Sequence, residues 1–220
     1  MSGKLDPYQQ AYTCTTLNAC TFLCLMIADR LLSTVGTTDL SALIQDLILN
    51  FPSNVNRKRD EKKLYDIDEA YQILKSCNSI SSYEFVYEIS STNVRKVHEA
   101  AEEFNRQLIY LLESSGDRTV CAIYTSPPYT VLFYKSKGDV LKIVDTHGIP
   151  DKFGGNQNAG IITAKISELC VRSLTSWLLI RIGDKNSFIH EPAVIIPPTA
   201  NSFSGLYWLK NGVKKMKITG

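Results

Sequence analysis

Apolar residues recur along this chain with two different spacings, and the change from one to the other falls near its middle. Thr15 to Leu32 and Thr38 to Leu49 carry the three-to-four spacing of helices, and Thr37, Thr38 and Asp39 offer N-caps for the second. Leu17 to Ala28, inside the first, is interrupted by Asn18 and Thr21 and is too short to cross a bilayer, so it reads as a buried helix. Asn50 to Lys63, with its polar run NVNRKRDEKK, reads as a solvated loop. Asp66 to Ser76 predicts a short helix, and Tyr83 to Ile89 alternates like a strand. Asn93 to Glu113 sets Val94, Val97, Ala101, Phe104, Leu108 and Leu111 on one face of an amphipathic helix.

The second half changes character. Thr119 to Thr125, Tyr129 to Lys135 and Val140 to Asp145 are β-rich, the last two joined by the turn residues Ser136, Lys137 and Gly138. A Gly/Asn loop, Gly154 to Gly160, precedes a helix expected over about Ile162 to Leu174. Trp177 to Ile182 and Phe188 to Ile196 then read as strands. Helices first and a mostly antiparallel sheet later define an α+β class. The 220 residues, 44% of them hydrophobic, suit one domain over 1–220, with a helical part at about 1–115 and a sheet part at about 116–220.

Charge narrows the partners. A net charge of +2, spread along the chain, gives no electrostatic reason to expect nucleic acid or an anionic membrane. The polar start MSGKLDPYQQ lacks the features of a signal peptide. Six cysteines occur without a C-x-x-C, which predicts free thiols in a reducing, cytoplasmic compartment. Only three histidines exist, far apart in sequence, so neither a zinc site nor another cofactor is expected.

A nucleophilic thiol needs a lowered pKa, a base, and donors for the developing oxyanion. Cys14 follows a polar, turn-like segment and opens the apolar helix, where the helix dipole and free amides favour thiolate. Cys20 and Cys24 lie deeper, four apart on one stripe, and read as core. Of the histidines, His98 reads as a helix-surface residue and His190 as a packed or rim residue of a strand. His147 ends the run LKIVDTHG, in which Leu141, Ile143, Asp145 and His147 alternate onto one face, so Asp145 can hold the imidazole in one tautomer. Gly148 then lets the chain turn away. Gln9 lies five residues before Cys14, as a glutamine or asparagine does upstream of the nucleophile in papain-like folds; Gln10 competes with it for the role of oxyanion donor beside the Cys14 amide.

With QQAYTCTTLNACTFL at the start and YTVLFYKSKGDVLKIVDTHG late, the chain resembles the tegument ubiquitin-specific proteases of herpesviruses and their non-viral relatives. In that family the acid precedes the histidine by two residues. The resemblance implies a papain-like cysteine-protease fold with Cys14 as nucleophile, His147 as base, Asp145 as orienter and Gln9 in the oxyanion hole. It also implies a monomeric deubiquitinase that meets ubiquitin or polyubiquitin chains in the cytoplasm, or in a host's cytoplasm if the source is viral or bacterial. A cognate site would need a narrow channel for the glycines of Leu-Arg-Gly-Gly and a carboxylate for the arginine, with Glu84, Glu88, Asp117 and Asp139 as candidates. Two other readings stay open: a thiol hydrolase acting on a ubiquitin-like modifier, a peptide or a cell-wall amide, and a non-catalytic interaction domain that keeps the fold.

Overall fold

Tyr129–Lys135 shows no in-and-out alternation: every residue after Tyr129 is buried, as in a strand covered on both faces. That strand is central to the computed structural model, which describes residues 4–7, 18–34, 39–88, 97–126, 129–147, 160–182, 191–196, 205–209 and 212–216. The first half contributes β1 (Lys4–Pro7), α1 (Cys20–Ser33), α2 (Leu40–Leu49), α3 (Ser53–Lys58), α4 (Ile67–Ser76) and β2 (Glu84–Glu88). The helix α5 (Val97–Ser114) leads into β3 (Val120–Ser126), β4 (Tyr129–Lys135) and β5 (Val140–Asp145). Then come β6 (Gly160–Lys165), α6 (Val171–Ile182) and β7 (Glu191–Ile196), followed by a hairpin of β8 (Gly205–Leu209) and β9 (Gly212–Met216).

The sheet runs in the order β1-β6-β5-β4-β3-β7-β2, and each of its strand pairs is antiparallel. Helices cover both faces. On one, Phe22, Ile27, Ile44, Ile48 and Leu74 from α1, α2 and α4 pack on Cys121, Ile123, Leu132 and Val144. On the other, Phe104, Leu108 and Leu112 of α5 and Leu174 and Leu178 of α6 pack on Tyr124, Val131, Phe133, Leu141 and Ile143. Local chemistry sets the helix starts: the Asp39 carboxylate accepts from the Ser41 and Ala42 amides, and that of Asp66 from the Glu69 amide.

The α+β class is the one expected, with differences in where the elements fall. Two strands from the first half, β1 and β2, join the sheet, and α6 lies in the second half. The expected solvated loop at Asn50 to Lys63 contains the helical turn α3, anchored by the fully buried Val55. Ile162 to Leu174 is not one helix. Its first part is strand β6, hydrogen-bonded between β1 and β5, then a 3₁₀ turn at Ile166–Glu168 leads to α6. Trp177 to Ile182 is helix rather than strand, because Leu174, Leu178 and Arg181 form a buried stripe at helical spacing against the sheet.

Candidate active site

The carboxylate of Asp145 sits at the end of β5, fully buried. Its Oδ1 accepts from the His147 backbone amide at 2.9 Å and meets His147 Nδ1 at 3.1 Å. The first of these is an Asx turn, so the D-x-H geometry arises from a turn just past the strand rather than from continued alternation. Asp145 Oδ2 accepts from Nε of Arg181, whose side chain is 5% exposed and comes from α6. Burial opposes the charge of Asp145, but the bonds to His147 and Arg181 outweigh it and hold the carboxyl below its ordinary range.

His147 has its ring edge-on to Tyr129, 4.9 Å between centroids, and the Arg181 guanidinium lies 4.8 Å from the centre of the same Tyr129 ring. The imidazole thus has one nitrogen fixed on Asp145, and the ring also meets a thiol. That thiol is Cys20. It stands at the first position of α1, half-buried, within hydrogen-bonding reach of His147. Burial works against its thiolate, yet the hydrogen bond and charge of His147, with smaller help from Thr130 and Thr21, hold its pKa below the ordinary 9.0. Burial likewise opposes the imidazolium, while Asp145 and Cys20 push the His147 pKa up to about 10. Each partner stabilises the other's charged form.

A network of hydroxyls backs the sulfur. Cys20 Sγ lies 3.6 Å from Thr130 Oγ1, which is 2.9 Å from Thr21 Oγ1 and accepts from Thr125 Oγ1 at 3.2 Å. Thr21 Oγ1 donates to the Tyr65 carbonyl at 3.1 Å. With the Thr21 and Thr125 protons committed, the Thr130 hydroxyl proton serves either Thr21 or an ionised sulfur. Ala19, the N-cap of α1, has no side-chain acceptor, so a cap does not occupy the first-turn amides behind Cys20. Asn18, just before, takes a left-handed φ of 51° and donates Nδ2 to the Glu61 carbonyl at 2.8 Å, fixing the turn that starts the helix. Asn18, Cys20, Thr21, Leu64, Tyr65, Thr125 and Thr130 line an open depression on the sulfur's flank.

The site lies where the two layers meet at one end of the sheet. Cys20 and Thr130 belong to the α1 side, while Asp145 and Arg181 belong to the α5/α6 side. His147, past the end of β5, joins them.

The structure brings together Asp145 and His147; Cys14, Gln9, Gln10 and the competing base candidate His190 lie outside the described residues. His98 stands in the first turn of α5, a helix of the opposite layer from α1. Cys20, read from the sequence as a core residue, is the thiol facing His147, which corrects that reading. Cys24 is the core residue of the pair: fully buried, its Sγ 3.8 Å from the Thr130 carbonyl, with burial driving its thiol well above the ordinary value. Asp117 and Asp139 lie beside Lys135, at the far end of β4 from Thr130, so neither reaches the depression. The five residue steps between Thr130 and Lys135 span about 17 Å of strand. Arg181 went unremarked in the sequence. Its signal was present: an arginine three residues after Leu178 on an apolar helical stripe needs a buried acid.

No family model and no curated protein matches the sequence. Among solved structures, the chain is similar to the ubiquitin-specific protease of a murine cytomegalovirus tegument protein, solved with a ubiquitin-based suicide substrate. That similarity has a TM-score of 0.50 at 14% identity and covers 87% of this chain and 85% of that one. A Pseudomonas avirulence protein, AvrPphB, aligns at a TM-score of 0.39 and 7% identity over 84% of this chain and 95% of its own, a likeness too slight to build on. The fold is that of a papain-like cysteine protease.

Proposed function

We propose that the chain is a cysteine hydrolase with Cys20 as nucleophile, His147 as general acid and base, and Asp145 as its orienting carboxylate, and that it cleaves the bond after the C-terminal glycine of ubiquitin. The observation that carries the chemistry is the thiol of Cys20 against an imidazole already fixed by a buried carboxylate. In this reading the Cys20 thiolate attacks the glycine carbonyl carbon, and the carbon–nitrogen bond breaks as His147 delivers its proton to the leaving amine. Water then attacks the thioester, giving one proton to His147; the carbon–sulfur bond breaks, the glycine leaves as a carboxylate with the second proton passing to solvent, and the thiolate–imidazolium pair is restored. The Cys20 amide, in the uncapped first turn of α1, is one oxyanion donor.

An upstream glutamine is the second donor in this reading. Pro7 pairs with Gly160, and Gly160 pairs with Asp145, so β1 ends in the same row of the sheet as the orienting carboxylate. Two strand spacings separate them, about 10 Å. Gln9 and Gln10 follow within three residues of that point. The ubiquitin assignment is supported by the herpesvirus-type acid-before-histidine order and by the fold shared with a protease solved on a ubiquitin-based substrate.

The test is a panel of probes, each a modifier with a C-terminal electrophile. Adduct formation with the ubiquitin probe, absent in Cys20→Ala, is expected. Preference for a different modifier overturns the substrate and leaves the chemistry; no adduct with any probe and no enhanced thiol reactivity would remove both.

A further inference from the structure

A general acid that must lose its proton beside a buried anion faces an electrostatic difficulty. While His147 is an imidazolium it neutralises Asp145; once the proton has gone to the leaving amine, a fully buried carboxylate would stand beside a neutral ring. Arg181 changes that balance. It approaches from the opposite oxygen of the carboxylate, is itself buried, and has its guanidinium carbon over Tyr129, the ring that also abuts His147. A guanidinium keeps its proton under all conditions in which the protein works.

We propose that Arg181 is a positioning residue of this site, a fixed counter-charge that keeps Asp145 ionised and in place while His147 gives up and regains its proton. This rests on the thiol-hydrolase reading only for its purpose; the charge relation itself does not require turnover. Among the described residues, the titratable and charged groups facing His147 or Asp145 include Cys20 and Cys24 from α1, Tyr129 from β4 and Arg181 from α6. Among these, Arg181 is the cation on the carboxylate's far oxygen. Without it, the carboxylate would hold the imidazole's proton more tightly, because one of the two cations that compensate its charge would be gone.

The experiment follows the His147 ring by nuclear magnetic resonance in ring-labelled protein, assigned by His147→Gln. A Cys20→Ala background removes the thiolate's own pull and lowers the titration into a range that the fold tolerates. Adding Arg181→Gln, which keeps an amide donor but loses the charge, is expected to raise the His147 titration by about one pH unit, the size of a near, partly compensated charge. Arg181→Lys is expected to stay close to the parent. An unchanged titration in a folded Arg181→Gln protein, or equal shifts in both variants, would overturn the proposal.

Should the glutamine variant fail to fold, the carboxyl carbon of Asp145 in the unsubstituted protein decides. It is expected to show no proton uptake as His147 titrates, and uptake there overturns the proposal. The ubiquitin probe is read separately on the unsubstituted chain. Probe failure with the expected titration removes the hydrolase reading alone; probe success with a flat titration removes the Arg181 role alone.

Discussion

Replacing Asp145 by asparagine keeps the shape of the side chain and removes one charge from a place with no access to water. Asp145 is fully buried and the Arg181 side chain is 5% exposed, so the substitution takes the carboxylate away from a guanidinium in the interior. Breaking one side of such a buried pair costs about 3–5 kcal/mol. For a chain of this length, about 4 kcal/mol corresponds to a melting temperature lower by roughly 8–16 °C. The loss should be partly reversed in the double variant Asp145→Asn with Arg181→Met, since an apolar replacement of both partners is commonly near neutral.

The histidine adds a pH dependence with a definite sign. His147 titrates at about 10 in the folded protein and at the ordinary 6.5 when unfolded. Its contribution is therefore complete below pH 6.5 and disappears as pH rises through about 10. The stability gap between the parent and Asp145→Asn should narrow over that window without closing, because the guanidinium keeps its charge. Urea unfolding at pH 6, 8 and 10 measures all of this. A loss below about 1 kcal/mol at pH 6, the value of a surface ion pair, or a double variant no better than the single one, would refute the buried-pair reasoning.

Thr130→Val should raise the pH at which Cys20 is alkylated by iodoacetamide and cost about 1–2 kcal/mol, because it removes a hydroxyl shared by Thr21, Thr125 and the sulfur. An unchanged alkylation profile would show that the sulfur does not use that hydroxyl. Probe reactivity should rise with pH as Cys20 ionises, beginning below the ordinary thiol value, and fall near pH 10 as His147 loses its proton; a profile that keeps climbing through pH 10 would contradict an ion pair. Lys135→Met supplies a control remote from the chemistry. Lys135 Nζ donates to Ser115 Oγ at 2.7 Å and to the Leu112 and Gly116 carbonyls, all at the C-terminal end of α5, so its loss should lower stability by about 1–3 kcal/mol and leave thiol reactivity unchanged.

Local patterns carried a good part of the fold. Tyr129–Lys135 and Val140–Asp145 were legible because their apolar runs and the turn between them specify a hairpin without help from elsewhere. Gly160–Lys165 was not, since its strand state depends on β1 and β5, which precede it by about 155 and 20 residues and are invisible to a local window. The segment WLLIRI looks like a strand by residue type, and only the stripe Leu174, Leu178, Arg181 reveals the helix.

The candidate site divides in the same way. Asp145 and His147 are two residues apart, and an Asx turn makes that spacing a structural statement. The cysteine is set by where α1 begins, and an apolar run does not mark its own first residue. Asn18 holds the signal that was missed: an asparagine tolerates the left-handed turn that starts the helix two residues later, at Cys20. Cys20 and Cys24 share a helical stripe, yet one meets an imidazole and the other is fully buried, a difference that depends on the distant β5 end.

The nucleophile's identity is tested most directly by locating the adduct with a ubiquitin-based electrophile. A chymotryptic digest cuts after Leu17 and so separates Cys14 from Cys20. The adduct is predicted on Cys20, absent from Cys20→Ala and undiminished in Cys14→Ala. An adduct carried by Cys14, or one that persists in Cys20→Ala, would contradict the account.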